Sequence, residues 1–386
     1  MSTGMTSRER LQAVMSGRVP DRVPVSTYEL VGHNPASFEN REPSYRRLMD
    51  RIREKTDCVR MWAPSGLARG ELDGGTGGIG HFLTAADLPH ECAESREGDK
   101  TVWTYTIETP EGPIRSVRSK TAGVETVWTE EHWLKNGDDI SRWMSIPYVF
   151  APPDCSGFGA DEEYLGDAGI MLPDVSDALC TVADLFEFGE FTIRAMTETV
   201  RFREMLDAMH ERVMDRLRYM LARGVRGLWR HVGAEYASEP YLPPHLFDEL
   251  VVPYMRPMIE LIHSHGQKVR VHSHGRLRNI VEKMIDCGAD ATDPCEAPPD
   301  GDVELAELKS RYGERLVLFG NMQLKHLETE TPDQIEARVK DCMAAAKAGG
   351  GFVLMPTAAP INVPLSPKTE ENYLRYIDAG LEYGAY

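Results

Sequence analysis

Five strand-then-helix units follow one another within about 160 residues of the C-terminal half, and this alternation restricts the possible folds more than any other feature. The series opens with Gly227-Leu-Trp-Arg-His-Val and a helical pattern over 243–262, in which Phe247, Leu250, Val251, Tyr254, Met258 and Ile262 share one face. Lys268–His272, Ala289–Asp293, Leu316-Val-Leu-Phe and Gly351-Phe-Val-Leu-Met are the later strands, with helices over Leu277–Cys287, Val303–Tyr312, 332–348 and 367–382. An amphipathic helix over 201–224 leads in; its apolar positions run from Phe202 to Leu221 in steps of three and four, and Gly224 closes it. Crossovers this short join parallel strands with a right-handed connection.

Three further strands are expected upstream: Arg22-Val-Pro-Val-Ser-Thr-Tyr, Thr56-Asp-Cys-Val-Arg-Met-Trp and Gly169-Ile-Met-Leu-Pro-Asp. Eight strands with intervening helices make a (β/α)₈ TIM barrel. Between the second and third strands lies an irregular stretch. Within it Thr101-Val-Trp-Thr-Tyr-Thr-Ile-Glu and Ile114-Arg-Ser-Val-Arg-Ser flank Glu111-Gly112 as a β-hairpin. Residues 1–386 therefore read as one domain, with 65–165 inserted over the barrel mouth.

Acidic residues exceed basic ones by 61 − 43 = 18, which argues against nucleic-acid backbones and anionic membranes as partners. No apolar run is long enough to span a bilayer, and the N-terminus lacks the apolar core of a signal peptide. Seven cysteines, odd in number and without a Cys-x-x-Cys, fit a reduced, cytoplasmic protein.

Strand C-termini in such a barrel gather into one pocket. The most pointed of them is Val-Arg-Val-His-Ser-His-Gly over 269–275, because His272 and His274 are two positions apart and share a face of an extended strand. Glu235 ends the strand before, and Cys295 follows the strand after. Histidine, carboxylate and thiolate are the side chains zinc takes, and three protein ligands leave one position open for substrate. Each residue has a plainer reading. The histidines could cap the next helix, Glu235 could pair with Arg230 or Arg270, and Cys295 could be a small packed residue. Other strand ends offer Tyr28, His33, Trp62, Tyr236 and Asn321 for substrate contact. Gly75, Gly77 and Gly80 form a Gly-x-Gly-x-x-Gly after a polar stretch, which reads as a loop and not as a dinucleotide site. Neither Gly-x-x-x-x-Gly-Lys nor Gly-x-Ser-x-Gly occurs.

The chain resembles the uroporphyrinogen decarboxylase superfamily over nearly its whole length. Met5-Thr-Ser-Arg-Glu-Arg-Leu-Gln-Ala-Val-Met-Ser-Gly-Arg-Val-Pro-Asp-Arg-Val-Pro-Val is similar to that family's N-terminal helix and first strand. Pro244-His-Leu-Phe-Asp-Glu-Leu-Val-Val-Pro-Tyr, Gly301-Asp-Val-Glu-Leu-Ala-Glu-Leu-Lys and Gly320-Asn321 resemble later segments, and Val271-His-Ser-His-Gly resembles its His-x-Cys-Gly. The resemblance implies a TIM barrel. True decarboxylases of the family hold substrate carboxylates with an arginine-rich segment after the first strand. Here that place reads Ser26-Thr-Tyr-Glu-Leu-Val-Gly-His-Asn, without arginine.

The family's other branch is the corrinoid-dependent methyltransferases. In those acting on coenzyme M the zinc ligands resemble His272, a cysteine where this chain has His274, and a cysteine after the last strand, where this chain has Met355-Pro-Thr-Ala-Ala-Pro. The departures leave a His/His/Glu or His/Glu/Cys set, which suits activation of oxygen better than a thiol-rich one. The resemblance therefore implies an O-demethylase type of methyltransferase. Zn²⁺ would be held by Glu235, His272, His274 and Cys295, with Glu235 and the two histidines catalytic. Tyr28, His33, Trp62, Tyr236 and Asn321 would bind substrate. The implied partners are a small methylated, methoxy-aromatic donor and a separate corrinoid (cobalamin) protein, since no Asp-x-His-x-x-Gly occurs; a homodimer is an allowed state. The alternative is a metal-independent carboxy-lyase acting on a small carboxylic acid.

Overall fold

A computed structural model describes residues 4–64, 88, 90–124 and 126–386. The glycine motif at 75–80 lies outside them. Among the described residues eleven strands occur: β1 Cys58–Trp62, β2 His90–Glu97, β3 Lys100–Thr109, β4 Gly112–Thr121, β5 Trp128–Glu131, β6 Gly169–Ser176, β7 Leu228–Val232, β8 Lys268–His272, β9 Ala291–Asp293, β10 Val317–Met322 and β11 Phe352–Pro356. Seven form one parallel sheet in the order β1-β6-β7-β8-β9-β10-β11, and β2 to β5 form a separate antiparallel sheet.

The parallel strands are short apolar runs because helices cover one face and the sheet's own interior the other; β11 is buried along its whole length. Helix Thr199–Ala222 buries Phe202, Met205, Leu206, Met209, Val213, Leu217, Met220 and Leu221, the face its spacing predicts. Helix Pro332–Ala346 starts where Thr331 and Gln334 form a reciprocal capping box and Pro332 takes the first turn.

Two sequence expectations change. The helix expected over 243–262 is two helices, Pro244–Leu250 and Val252–Ser264, because Pro253 has no N–H to continue the first ladder. The expected first strand is reduced to bridges, and Pro24 likewise lacks a donor. Val25 pairs in parallel with Leu354 of β11. Ser26 N–H donates to the Leu354 carbonyl (2.9 Å), Leu354 N–H to that of Pro24 (2.9 Å), and Asp57 N–H to that of Val25 (2.8 Å). This segment therefore joins the sheet's last strand to the residue before its first, and the sheet is curled and TIM-barrel-like.

Asp57, fully buried, accepts from Arg10 (2.6 Å), Arg22 (2.7 Å) and the Val25 N–H (2.8 Å), so one carboxylate ties the N-terminal helix to the joint. The hairpin expected around Glu111-Gly112 is β3–β4, with Gly112 in a left-handed conformation (φ 117°). Its buried face, Tyr105, Ile107 and Ile114, belongs to the same continuous core as the parallel sheet. Val124 forms an antiparallel bridge with Asn362, in the loop that follows β11.

Candidate metal centre

The site is assembled by register. Val232, His272 and Asp293 are partners across β7, β8 and β9, so the three strands end at one level. Beyond β7, Gly233 (φ 139°) turns the chain into the short turn Ala234–Ala237, which carries Glu235. Beyond β8, His274 follows His272, and Ser273 N–H between them donates to the Asp293 carbonyl (2.8 Å).

Glu235, His272 and His274 each present a donor atom, and these atoms all lie within 4.8 Å of one another. The His272 ring bonds Asp293 Oδ2 through Nδ1 (2.9 Å), which leaves Nε2 facing Glu235 Oε2 at 3.8 Å. The His274 ring meets Glu296 Oε1 through Nδ1 (3.2 Å), while its backbone N–H donates to Glu235 Oε2 (3.1 Å). The two rings stand edge to face at 4.7 Å. Both imidazoles thus have Nδ1 fixed by a carboxylate, the arrangement that orients metal-ligating histidines and frees the other nitrogen.

A buried charge network lies behind the pair. Arg270 Nε is 2.9 Å from Asp293 Oδ1, and neither side chain reaches solvent. Burial alone would raise the Asp293 carboxyl. Arg270, His272 and Arg230 outweigh burial and hold it well below the ordinary carboxylate range. Burial would likewise lower His274, but its bond to Glu296 and the charges of Glu296, Glu235 and Asp293 raise it. Arg230 donates to the Tyr28 hydroxyl (3.1 Å) and faces Asp174 at 3.4 Å. The Tyr28 ring stacks against His272 (6.0 Å, 25°), with its backbone in the left-handed region at φ 54°.

The other candidates lie elsewhere. Cys295 is fully buried, points its thiol at the Thr292 carbonyl (3.8 Å), and stays outside the donor cluster. Burial pushes that thiol far up. Trp62 donates to Asp161 (3.0 Å) and packs edge-on against Phe158, on the helix side of β1 beside Arg60. Tyr236 donates to Asp184 (2.7 Å) among Phe188 and Phe191. His33 lies against Tyr164. Asn321 donates to the Cys295 carbonyl (3.1 Å) and accepts from Cys342. Among the five substrate candidates, Tyr28 alone is brought against the histidines. Sequence reasoning missed the orienting roles of Asp293 and Glu296 and the interior layer of Arg230 and Arg270. The usable signal was Arg270, two residues before His272 and so on its face.

A barrel-like α/β sheet with acid–imidazole groups at its strand ends is the layout of an enzyme. Residues 186–371 match the model of the family described as "Uroporphyrinogen decarboxylase (URO-D)". A curated uroporphyrinogen decarboxylase from Synechococcus sp. (strain CC9605) is 26% identical over 160 residues, a match spanning 40% of this chain and 43% of that protein. The similarity to the uroporphyrinogen decarboxylase family thus lies in the C-terminal half of the chain. A solved structure titled "methyltransferase from Methanosarcina mazei" superposes with a TM-score of 0.59 at 17% identity, covering 98% of this chain and 99% of that one. That likeness carries the fold and nothing finer. Among the described residues no helix is long and apolar enough to cross a membrane.

Proposed function

We propose that this protein is a zinc-dependent methyltransferase, which takes a methyl group from a small methoxy-aromatic substrate and passes it to a corrinoid carried by a separate protein. The convergence of Glu235, His272 and His274 within 4.8 Å is the observation that carries this reading. Two imidazoles and one carboxylate are a donor set zinc accepts, and both histidines have the second nitrogen fixed as zinc ligands require. When bound there, Zn²⁺ supplies Lewis acidity toward an ether oxygen and steadies the phenolate that leaves. His272 and His274 hold their positions through Asp293 and Glu296, and Glu235 contributes the negative charge. The Tyr28 ring, against His272, offers an aromatic wall for an aryl substrate. We further propose that the 65–165 insertion covers this mouth; the Val124–Asn362 bridge beside the last strand supports that placement.

The carboxy-lyase reading has less behind it. Substrate carboxylates would need free arginines, whereas Arg270 already faces Asp293 and Arg230 faces Asp174. Metal analysis with His274→Ala tests the proposal. The wild-type protein should carry one zinc per chain, and the variant should lose metal and methyl transfer together, because two remaining ligands hold the ion poorly. Wild-type protein without stoichiometric metal, or a variant keeping both properties, sinks the assignment.

A further inference from the structure

We propose that Asp177, which directly follows β6, is a positioning residue for Glu235, holding the turn that carries it from behind. This inference rests on the metal reading of Glu235, His272 and His274. Three contacts point to it. The Asp177 N–H donates to the carbonyl of Val232, the last residue of β7 (2.8 Å). Its Oδ1 accepts from Cys180 N–H (2.8 Å), which locks the side chain as the N-cap of helix Ala178–Ala183. That same oxygen fills the place of a side chain at Gly233: a Cβ there would fall 1.9 Å from it, and Gly233 takes φ 139°. Gly233 is two residues before Glu235, so the cap of one helix abuts the hinge of the ligand-bearing turn. Behind the cap, Asp177 Oδ2 is 3.5 Å from His231 Nε2, with both side chains wholly enclosed. Among the described residues, neither ring nitrogen of His231 nor Asp177 Oδ2 has a hydrogen-bond partner. Asp177 is fully buried, so its carboxyl has no solvent to turn toward.

Zinc affinity by chelator competition, with amide hydrogen exchange on the metal-free protein, tests this in wild type, Asp177→Asn, Asp177→Ala and Gly233→Ala. The asparagine keeps the capping oxygen and should bind zinc like the wild type. The two alanine variants should weaken binding by on the order of 10- to 100-fold, the usual effect of losing an outer support. Exchange should quicken over 233–237 and not over 272–275. Wild-type affinity in both alanine variants overturns the proposal and leaves the metal site standing. Equal loss in Asp177→Asn, with exchange faster throughout the chain, marks general destabilisation and also overturns it. A wild-type protein that binds no zinc overturns the metal reading itself, and this inference with it.

Discussion

Asp293 accepts from His272 through one oxygen and faces Arg270 with the other, so a single carboxylate serves both the candidate ligand and a buried charge. Asp293→Asn is nearly the same size but leaves Arg270 uncompensated, which should cost roughly 3–5 kcal/mol in urea unfolding at neutral pH. Zinc affinity should fall by about 10- to 100-fold as His272 loses its orienting acceptor. Because the folded carboxyl titrates below the unfolded one, the native state binds fewer protons. Its contribution is complete above about pH 4 and lost as pH falls further. The gap in urea midpoint between variant and wild type should therefore narrow toward pH 3; a gap independent of pH contradicts the charge argument. The two histidines were legible as a period of two at a strand end, and Glu235 as the end of the neighbouring strand. Their supports were not, because pairing His272 with Asp293 requires the inter-strand register. Trp62 was misleading for a related reason. Arg60 and Trp62 share one face of β1 and Val59 and Met61 the other, both faces are largely buried, and only the contacts with the Asp161 and Phe158 segment show that the Trp62 face looks outward.

The parallel strands were readable as short apolar runs between helical patterns, and most helices lay within a few residues of their expected bounds. The bridge at Val25 and the break before Pro253 escaped because prolines remove backbone donors in segments whose side-chain pattern is otherwise regular. His231 is a further case. It alternates with Arg230 on β7, so that Arg230 faces the interior and His231 the enclosing helices, against Asp177. Burial lowers the His231 imidazole to about 4 and raises the Asp177 carboxyl to about 7. From about pH 4 to 6.5 the unfolded histidine binds a proton that the folded one does not, so this group makes stability rise with pH. From about pH 4 to 7 the folded aspartate keeps a proton that the unfolded one releases, so this group makes stability fall. The two slopes oppose each other. His231→Gln removes the rising one, and its stability relative to wild type should decline between pH 4.5 and pH 7. A constant difference in urea midpoint across that range would show that the imidazole is not held neutral.

Across the whole molecule, the parallel sheet, the covering helices and the buried face of the β3–β4 hairpin form one continuous apolar core. A chain built this way should unfold as a unit, even though its two sheets are separate. The weak place in the ring is the proline-bearing joint at 24–26, which contributes single bridges where the other positions contribute ladders. Asp57 compensates by gathering Arg10, Arg22 and the Val25 N–H around one buried carboxylate. Removing it leaves two guanidinium groups and a backbone donor short of a partner at the point where first and last strands meet. Asp57→Ala should lower stability by roughly 3–5 kcal/mol, whereas Asp57→Asn, which still offers an oxygen to Val25, should cost less. Urea unfolding followed by far-ultraviolet circular dichroism and by tryptophan fluorescence should give coincident transitions in all three proteins, displaced together. A wild-type midpoint in Asp57→Ala would mean that the joint does not hold the sheet closed. Divergent transitions would mean that the hairpin sheet and the parallel sheet do not share their core in solution.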